Sequence, residues 1–253
     1  MRRRLRSCSA AETRHTEGVR FFLVVAATLA VAASATAAAP PVVVIDPGHD
    51  LSANLQTEPI GPGSATRKIK DGGGTRGVVS GTTEAQLNLA ISLRVRALLE
   101  RAGVRVVMTR SRTAGTSIGN VARAEIANDA GAALFLRIHA DGSSSSTARG
   151  SHTLHPARRV GWTDDIYGPS RAAARIMQSE LVRALGFPDR GLQERSDFTG
   201  FNWADVPAIL VEVGFMTNPT EDRRLATEAY RERAARGLCR GALRFLGRSP
   251  ARC

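Results

Sequence analysis

The stretch VVVIDPGHD, residues 42–50, carries the first indication of the fold. Residues 42–45 are consecutive β-branched residues, a pattern typical of a strand buried on both faces of a parallel sheet. Asp46-Pro47-Gly48 then predicts a tight turn directly after that strand. Such a turn directs the side chain of His49 out over the edge of the sheet.

Strand-like and helix-like segments alternate along the rest of the chain. We predict further strands at residues 104–109, 134–139, 151–154 and 208–213. We predict a first helix that begins at Thr82 or Thr83 and ends at Gly103, and a second helix that ends near Gly131. Two further helices are predicted at residues 170–185 and 220–246. This order indicates right-handed βαβ units. The expected fold is therefore a single α/β domain, a mostly parallel twisted sheet with helices on both faces.

The helical periodicity also predicts which side chains face the core. In the first helix these are Leu87, Ile91, Val95 and Leu98, and in the second Ile118, Val121, Ala122 and Ile126. Residues 51–81 are polar and rich in Gly, Pro, Ser and Thr, so we expect a long loop with at most a small hairpin. This loop is either a mobile flap or a fixed decoration. Residues 186–206 predict a second loop.

Residues 1–39 have the pattern of a secretory signal peptide. Six arginines within the first 20 residues precede an apolar, Ala-rich run, and residues 37–39 offer a small-residue cleavage site. The alternative is an uncleaved anchor, since about 19 apolar residues just span a bilayer. We expect a signal peptide at 1–39, one folded domain at 40–247 and a C-terminal tail at 248–253. The mature protein would be secreted, periplasmic or wall-bound, without stable membrane insertion.

Charge and cysteine content narrow the class of partner. The chain carries a net charge of +12, of which a leader with six arginines and two glutamates takes +4 and leaves about +8. The basic residues are scattered and aromatic residues make up only 5%, so we expect no nucleic-acid partner. No CxxC spacing exists for sulfur-bound structural zinc. Cys239 and Cys253 are free to pair after export, and we expect a monomer.

Four residues have the chemistry of a hydrolytic zinc site. His49 and His139 each follow a predicted buried strand, and Glu84 lies in the first turn of a predicted helix. Two histidines and one carboxylate leave a fourth metal position for water. Glu212 interrupts the apolar run ILVEVGF and remains to move that water's proton. The spacing alone leaves open whether a metal binds, because the HExxH arrangement is absent.

Four blocks together resemble the zinc-dependent N-acetylmuramoyl-L-alanine amidases of the amidase 3 family. They read DPGHD (46–50), EAQLNL (84–89), RIHAD (137–141) and VEVGFMTN (211–218). The resemblance extends over residues 45–245 and implies an α/β catalytic domain. It also implies that His49, Glu84 and His139 bind Zn²⁺ and that Glu212 is the catalytic acid/base. The implied substrate is peptidoglycan or its muropeptides, cut at the amide between N-acetylmuramic acid and L-alanine.

Departures from the family pattern keep the substrate open. Asp50, Arg137 and Asp141 stand where glycine, serine and asparagine are usual. Two alternatives to the amidase remain, a zinc peptidase that cuts stem peptides and a non-catalytic wall-binding protein of the same fold. Arg123 and Asn128 are similar to the family's helix before the second histidine.

Some weaker patterns admit two interpretations each. His152 and His155 line either a substrate groove or the core. The aromatic residues Phe198, Phe201 and Trp203 either stack on substrate or close the core. The GxGxxG letters at residues 72–77 are not preceded by a strand, so we reject a dinucleotide site there.

Overall fold

The strands that carry the quoted motifs lie side by side in a six-stranded sheet in the computed structural model, which describes residues 39–113 and 117–253. The described residues form eight strands, six in this sheet and two in a separate hairpin. They are β1 (Val42–Pro47), β2 (Asn54–Pro59), β3 (Arg67–Asp71), β4 (Arg105–Met108), β5 (Leu134–Asp141), β6 (Ser151–Pro156), β7 (Asp189–Arg195) and β8 (Ala208–Phe215). The helices are α1 (Glu84–Arg101), α2 (Asn120–Asp129), α3 (Tyr167–Leu185), α4 (Thr199–Asn202), α5 (Pro219–Leu225) and α6 (Glu228–Phe245), followed by a 3-10 turn at Pro250–Arg252.

The sheet has the order β4-β1-β5-β8-β6-β7. All neighbouring strands pair in parallel except β6 and β8, which are antiparallel. The predicted mostly parallel sheet is thereby confirmed. The strands β2 and β3 form a separate antiparallel hairpin inside the polar stretch 51–81, where a small hairpin was expected. The strand β3 ends directly before Gly72, so the statement that no strand precedes the GxGxxG letters is wrong. It is a hairpin strand outside the main sheet, and α1 begins only at Glu84, so the βαβ setting of a dinucleotide site is still not formed there.

Alternate residues of the central strands face two different helical layers, as the strand period of two requires. Ile45, Leu136 and Val211 pack in one buried cluster with α1, α3 and α6. Val44 and Leu210 belong to the opposite cluster with α2 and α4. Helices therefore cover both faces of the sheet, as predicted.

Helix α1 begins where its capping residues predict. Thr83 is the N-cap, and its side chain and that of Gln86 form a reciprocal capping box. After the helix, Gly103 has a positive φ of 79°, which lets the chain turn into the next strand. The four predicted core residues of this helix are all buried. The helix start matters because Glu84 is its first residue.

The buried face predicted for α2 is wrong in part, since Val121, Ala122 and Ile126 are only partly buried, although Ile126 packs against the core. Ile118 precedes the helix and is 45% exposed, whereas the helix buries Arg123, Ala124 and Ala127. The inward position of an arginine explains the error, because Arg123 forms a buried ion pair with Asp46 instead of facing water. Hydrophobic periodicity does not detect a charged residue that faces the core.

The loop predicted at residues 186–206 is also wrong in part, since it contains β7 and α4. The sequence DRGLQER of β7 has no β-branched residue and one apolar residue, so it carries no strand signal. This strand lies at the edge of the sheet and pairs only with β6 among the described strands.

The two ends of the chain differ in what is described. The expected tail at 248–253 is tied to α6 by a disulfide bond between Cys239 and Cys253, which settles a pairing that the sequence left open. The expected signal peptide, residues 1–39, lies outside the described part of the chain except for Ala39. No helix in the described ranges combines the length and apolar character that a bilayer crossing needs.

Candidate metal centre and active site

His49 is held over the sheet edge by strained backbone and by a neighbouring carboxylate. It has φ 60°, and no other non-glycine residue in the described part of the chain has a positive φ. Its Nδ1–H donates to Asp71 Oδ1 over 2.6 Å. Burial lowers the pKa of His49, but this hydrogen bond and the charge of Glu84 outweigh it and raise the pKa. The hydrogen bond leaves Nε2 directed at the candidate site.

Glu84 lies between the two histidines. Its Oε1 is 3.4 Å from His49 Nε2 and 3.0 Å from His139 Nδ1. Its Oε2 accepts a hydrogen bond from the backbone N–H of Thr75 at 2.9 Å. Burial raises the pKa of Glu84, yet the hydrogen bond to His139 and the charge of His49 hold it well below the usual value. The position at the start of α1 also favours a negative charge.

His139 lies within β5 and is almost fully enclosed. Burial lowers its pKa more than the contact with Glu84 raises it. Its Nε2 is buried and has no hydrogen-bond partner among the described residues. A Cβ on Gly48 would lie 2.2 Å from the His139 ring, so only glycine fits in the turn after β1. The tight turn predicted from DPG therefore makes room for one histidine while it places the other.

The three side chains fit a metal ion. One donor atom from each of His49, Glu84 and His139 lies within 4.8 Å of the others. A set of two imidazoles and one carboxylate is a known catalytic zinc arrangement. The bond from His49 to Asp71 is the kind of outer contact that orients a ligand histidine. The structure thus brings together the three residues that the sequence nominated.

Glu212 lies beside this cluster on the neighbouring strand. It is the register partner of His139 across β5 and β8, and of His152 across β6 and β8. Its Oε2 is buried and has no partner in the described chain. Burial, together with the charges of Glu84 and Asp141, raises the pKa of Glu212 well above its usual value. A carboxyl group in this setting is able to accept and hold a proton.

A cavity of about 460 Å³ opens over these four residues. It lies at the carboxyl ends of β1, β5 and β8, where open α/β sheets bind ligands. Its other walls come from the hairpin, from α2, from β5 and from the segment between β7 and α4. Polar and charged residues that line these walls include Lys68, Asn120, Arg137, Arg195 and Asp197.

The same face of the sheet carries a layer of buried charge next to the three candidate ligands, His49, Glu84 and His139. Asp46 Oδ2 accepts from Arg137 Nε at 2.8 Å, and its Oδ1 accepts from Arg123 and from Thr109. Burial raises the pKa of Asp46, but the two guanidinium groups hold it far below the usual value. Asp46 is therefore a fixed anion that orders the floor of the site.

The histidines and aromatic residues for which the sequence left two interpretations lie mostly outside the cavity. His152 and His155 are both buried within β6 and do not line the cavity. Phe201 is buried in the core, and Trp203 Nε1 donates to the Pro59 carbonyl at 3.0 Å. Only Phe198 of the three aromatic residues lines the cavity.

Sequence reasoning missed Asp71 and the glycines beside it. A Cβ on Gly74 would lie 2.7 Å from Glu84 Oε2, and this residue has a positive φ of 71°. These glycines therefore let the chain pass close to the metal cluster. An acid followed directly by Gly72-Gly73-Gly74, in a loop between two candidate ligands, is the signal that was available.

Fold and site together indicate an α/β enzyme with a candidate metal centre. The family model described as N-acetylmuramoyl-L-alanine amidase, Amidase_3, matches residues 43–244. The chain belongs to this family, which confirms the resemblance seen in its motifs.

Relatives and solved structures agree with this assignment. The chain is 36% identical over 212 residues to N-acetylmuramoyl-L-alanine amidase Rv3717 of Mycobacterium tuberculosis, a match that covers 80% of this chain and 85% of the relative. The crystal structure of the amidase Ami1 from Mycobacterium smegmatis superposes with a TM-score of 0.75 at 32% identity, covering 83% of this chain and 98% of that one. The catalytic domain of the amidase CwlV from Bacillus (Paenibacillus) polymyxa var. colistinus superposes with a TM-score of 0.66 at 29% sequence identity, covering 83% of this chain and 99% of that one.

Proposed function

We propose that this chain is an exported, zinc-dependent enzyme that hydrolyses the amide between N-acetylmuramic acid and L-alanine in peptidoglycan. The observation that carries the proposal is the position of Glu212. A buried carboxyl group with a free oxygen lies in register with His139, beside a cluster that fits a metal ion. In a chain of the amidase family, this supports amide hydrolysis by an activated water.

The three donor residues hold the metal in this proposal. His49, Glu84 and His139 are the ligands, and Asp71 fixes the tautomer of His49. When bound, zinc would polarise the scissile carbonyl and lower the pKa of a water toward neutrality. Glu84 contributes the negative charge that offsets part of the charge of a divalent ion.

Glu212 moves the protons. It takes one from the attacking water and delivers it to the amine of L-alanine as the amide breaks, so the enzyme forms no covalent intermediate. Its burial favours the neutral, protonated carboxyl group between the two transfers. Its position on a central strand keeps that proton close to the reacting atoms.

The cavity supports a substrate of this kind. Its volume of about 460 Å³ lies within the usual range of ligand sites, which is on the order of 300–1,000 Å³. The substrate would enter with the sugar's lactyl group and the first stem residues. The positive charge of the mature chain would favour an anionic wall polymer.

Digestion of intact muropeptides, with products identified by mass, tests the reaction. The expected products are a free stem peptide that begins with L-alanine and an intact glycan. A cut within the stem peptide would instead indicate the zinc peptidase. Binding to wall material without any cleavage would indicate the non-catalytic alternative.

Replacement of the proposed proton carrier tests the mechanism. Glu212→Gln should keep the fold and bound zinc while the rate falls by roughly two to four orders of magnitude, the scale of acid–base catalysis. Rates on muropeptide and metal content are measured together. Glu194→Gln removes an exposed acid outside the cavity and should retain full activity. A rate within a few-fold of wild type for Glu212→Gln would assign the proton transfer to another group.

A further inference from the structure

Arg137 is a buried guanidinium that the proposed mechanism does not use. It precedes His139 by two residues on β5, so the two side chains lie on the same face of the sheet. The side chain is 4% exposed, and it lines the cavity. Its Nε donates to Asp46 Oδ2 and its Nη2 to Asn120 Oδ1, each at 2.8 Å. No described residue accepts a hydrogen bond from its Nη1.

The positive charge of Arg137 is only partly neutralised. Asp46 is its single carboxylate partner in the described chain, and Arg123 shares that carboxylate. The other partner, Asn120, is neutral.

The other two cations of the cavity also share a single carboxylate, but the side chains of Lys68 and Arg195 are 44% and 36% exposed and remain in contact with water, whereas that of Arg137 is 4% exposed. Lys68 and Arg195 both pair with Asp197, at 3.1 Å and 2.8 Å. The floor of the cavity at Arg137 is therefore where an anionic ligand gains most. A guanidinium taken out of water without a full counter-charge is costly unless a ligand supplies one.

The position of the guanidinium is built into the fold. A Cβ on Gly200 would lie 2.3 Å from Arg137 Nη1, so the start of α4 accommodates this arginine only because residue 200 is glycine. Asp46 and Asn120 fix the other two nitrogens from β1 and α2. Three separate elements thus hold the planar group with one nitrogen left for a ligand.

We propose that Arg137 forms a carboxylate-binding subsite for the stem peptide, which rests on the proposed amidase function. A guanidinium matches a carboxylate in shape and charge. Two residues along a strand span about 6.6 Å, so Arg137 lies about that far from His139 along β5. An extended peptide covers about 7 Å in two residues. The carboxyl group of the second stem residue therefore reaches Arg137 when the scissile amide lies at the metal cluster.

The chemistry of the stem peptide makes this subsite selective. When the second residue is linked through its side chain, its α-carboxyl group is either a free acid or a carboxamide. The subsite binds the free acid in preference to the carboxamide. A carboxylate further along the stem, at the third residue, is the other source of the same chemistry.

The test compares synthetic N-acetylmuramoyl peptides that differ in a single group. With wild-type enzyme, the substrate ending in isoglutamate should have a kcat/KM about ten to a hundred times that of the isoglutamine substrate, the scale of a charge-assisted hydrogen bond. The difference should lie mainly in KM. A second pair, acid or amide at the third residue with isoglutamine at the second, identifies the alternative source. Equal kcat/KM within both pairs would overturn the subsite.

Variants assign the preference to Arg137. Arg137→Gln should reduce the acid-to-amide ratio to near one, and Arg137→Lys should retain part of it. Lys68→Gln removes the same charge from the cavity wall and should leave the ratio unchanged. Because loss of Arg137 leaves Asp46 with one partner fewer, Gly200→Ala provides a second variant that displaces the guanidinium without deleting it. A ratio unaltered in both Arg137→Gln and Gly200→Ala would contradict the assignment.

Two other outcomes are distinguishable. If Arg137 acts only through the nearby Glu212, its loss lowers kcat equally for acid and amide substrates, which overturns the subsite. If wild-type enzyme cleaves none of the substrates, the amidase function fails and the subsite fails with it. Cleavage of both acid and amide at equal rates keeps the amidase and removes only the subsite.

Discussion

His49 combines backbone strain with ligand chemistry. A non-glycine residue in the left-handed region costs on the order of 1–2 kcal/mol, and the surrounding turn and the bond to Asp71 hold it there. Such strain is commonly kept at functional sites. The strained conformation turns Nε2 of His49 toward Glu84. The conformational strain energy of His49 is therefore consistent with a role as a metal ligand.

The metal content of single variants tests the ligand set. Mature protein should carry about one zinc per chain, and His49→Ala and His139→Ala should each lose most of it, because a three-ligand site depends on every ligand. The measurement is elemental analysis after dialysis. His152→Ala is the matched control, since His152 is also buried next to Glu212 but lies outside the donor cluster. Full zinc retention in both ligand variants would refute the assignment.

The grouping of His49, Glu84 and His139 could be predicted from sequence because each residue is tied to a local signal. His49 follows a buried strand, His139 lies near the end of another, and Glu84 follows a capping threonine. Asp71 could not be predicted in the same way, because it reaches His49 only after the hairpin folds back. The ion pair of Asp46 with Arg123 joins residues 77 positions apart, and no local pattern reports it.

At the level of elements, the hairpin β2–β3 is attached to its neighbours by specific bonds. Glu58 caps α2, because its carboxylate accepts from the backbone N–H groups of Asn120 at 2.8 Å and Val121 at 3.2 Å. Gly119, the N-cap of α2, has no side chain for this purpose. These contacts favour a fixed wall of the cavity over a mobile flap.

Loss of this cap tests the attachment. Glu58→Ala leaves N–H groups of α2 without acceptors, and a lost cap costs about 0.5–2 kcal/mol. We expect faster proteolytic cleavage within residues 51–71 than in wild type. Glu125→Ala, at an exposed position on α2, is the control and should be cut like wild type. If muropeptide alone changes cleavage of the wild-type hairpin, the mobile flap is the better description.

The elements that sequence predicted well are those with strong local signals. The strands β1, β5 and β8 each begin with an apolar run of three or four residues, and α1 has a cap, a periodic face and a terminating glycine. The predictions for β7 and for the buried face of α2 were wrong in part because tertiary contacts determine both. An edge strand with a single apolar residue and a helix that buries an arginine both depart from the binary pattern.

At the level of the whole chain, we predict that residues 1–39 are removed on export. The basic start, the apolar run and the small residues at 37–39 motivate this prediction. N-terminal sequencing of protein recovered from the cell envelope should give a start within a few residues of Pro40. An intact segment 21–39 in the membrane fraction would show that the run is an anchor. With the leader gone, the charge of about +8 should make wall binding salt-sensitive.

The register of His139 with Glu212 has a consequence for heat inactivation. A main-chain ladder between β5 and β8, inside the sheet order, fixes the distance between these two residues. Core strands are among the last parts of a protein to open. Activity should therefore persist up to the calorimetric unfolding transition, and the two midpoints should coincide. Inactivation well below that transition would mean that the peripheral loops, and not the central ladder, limit the durability of the enzyme.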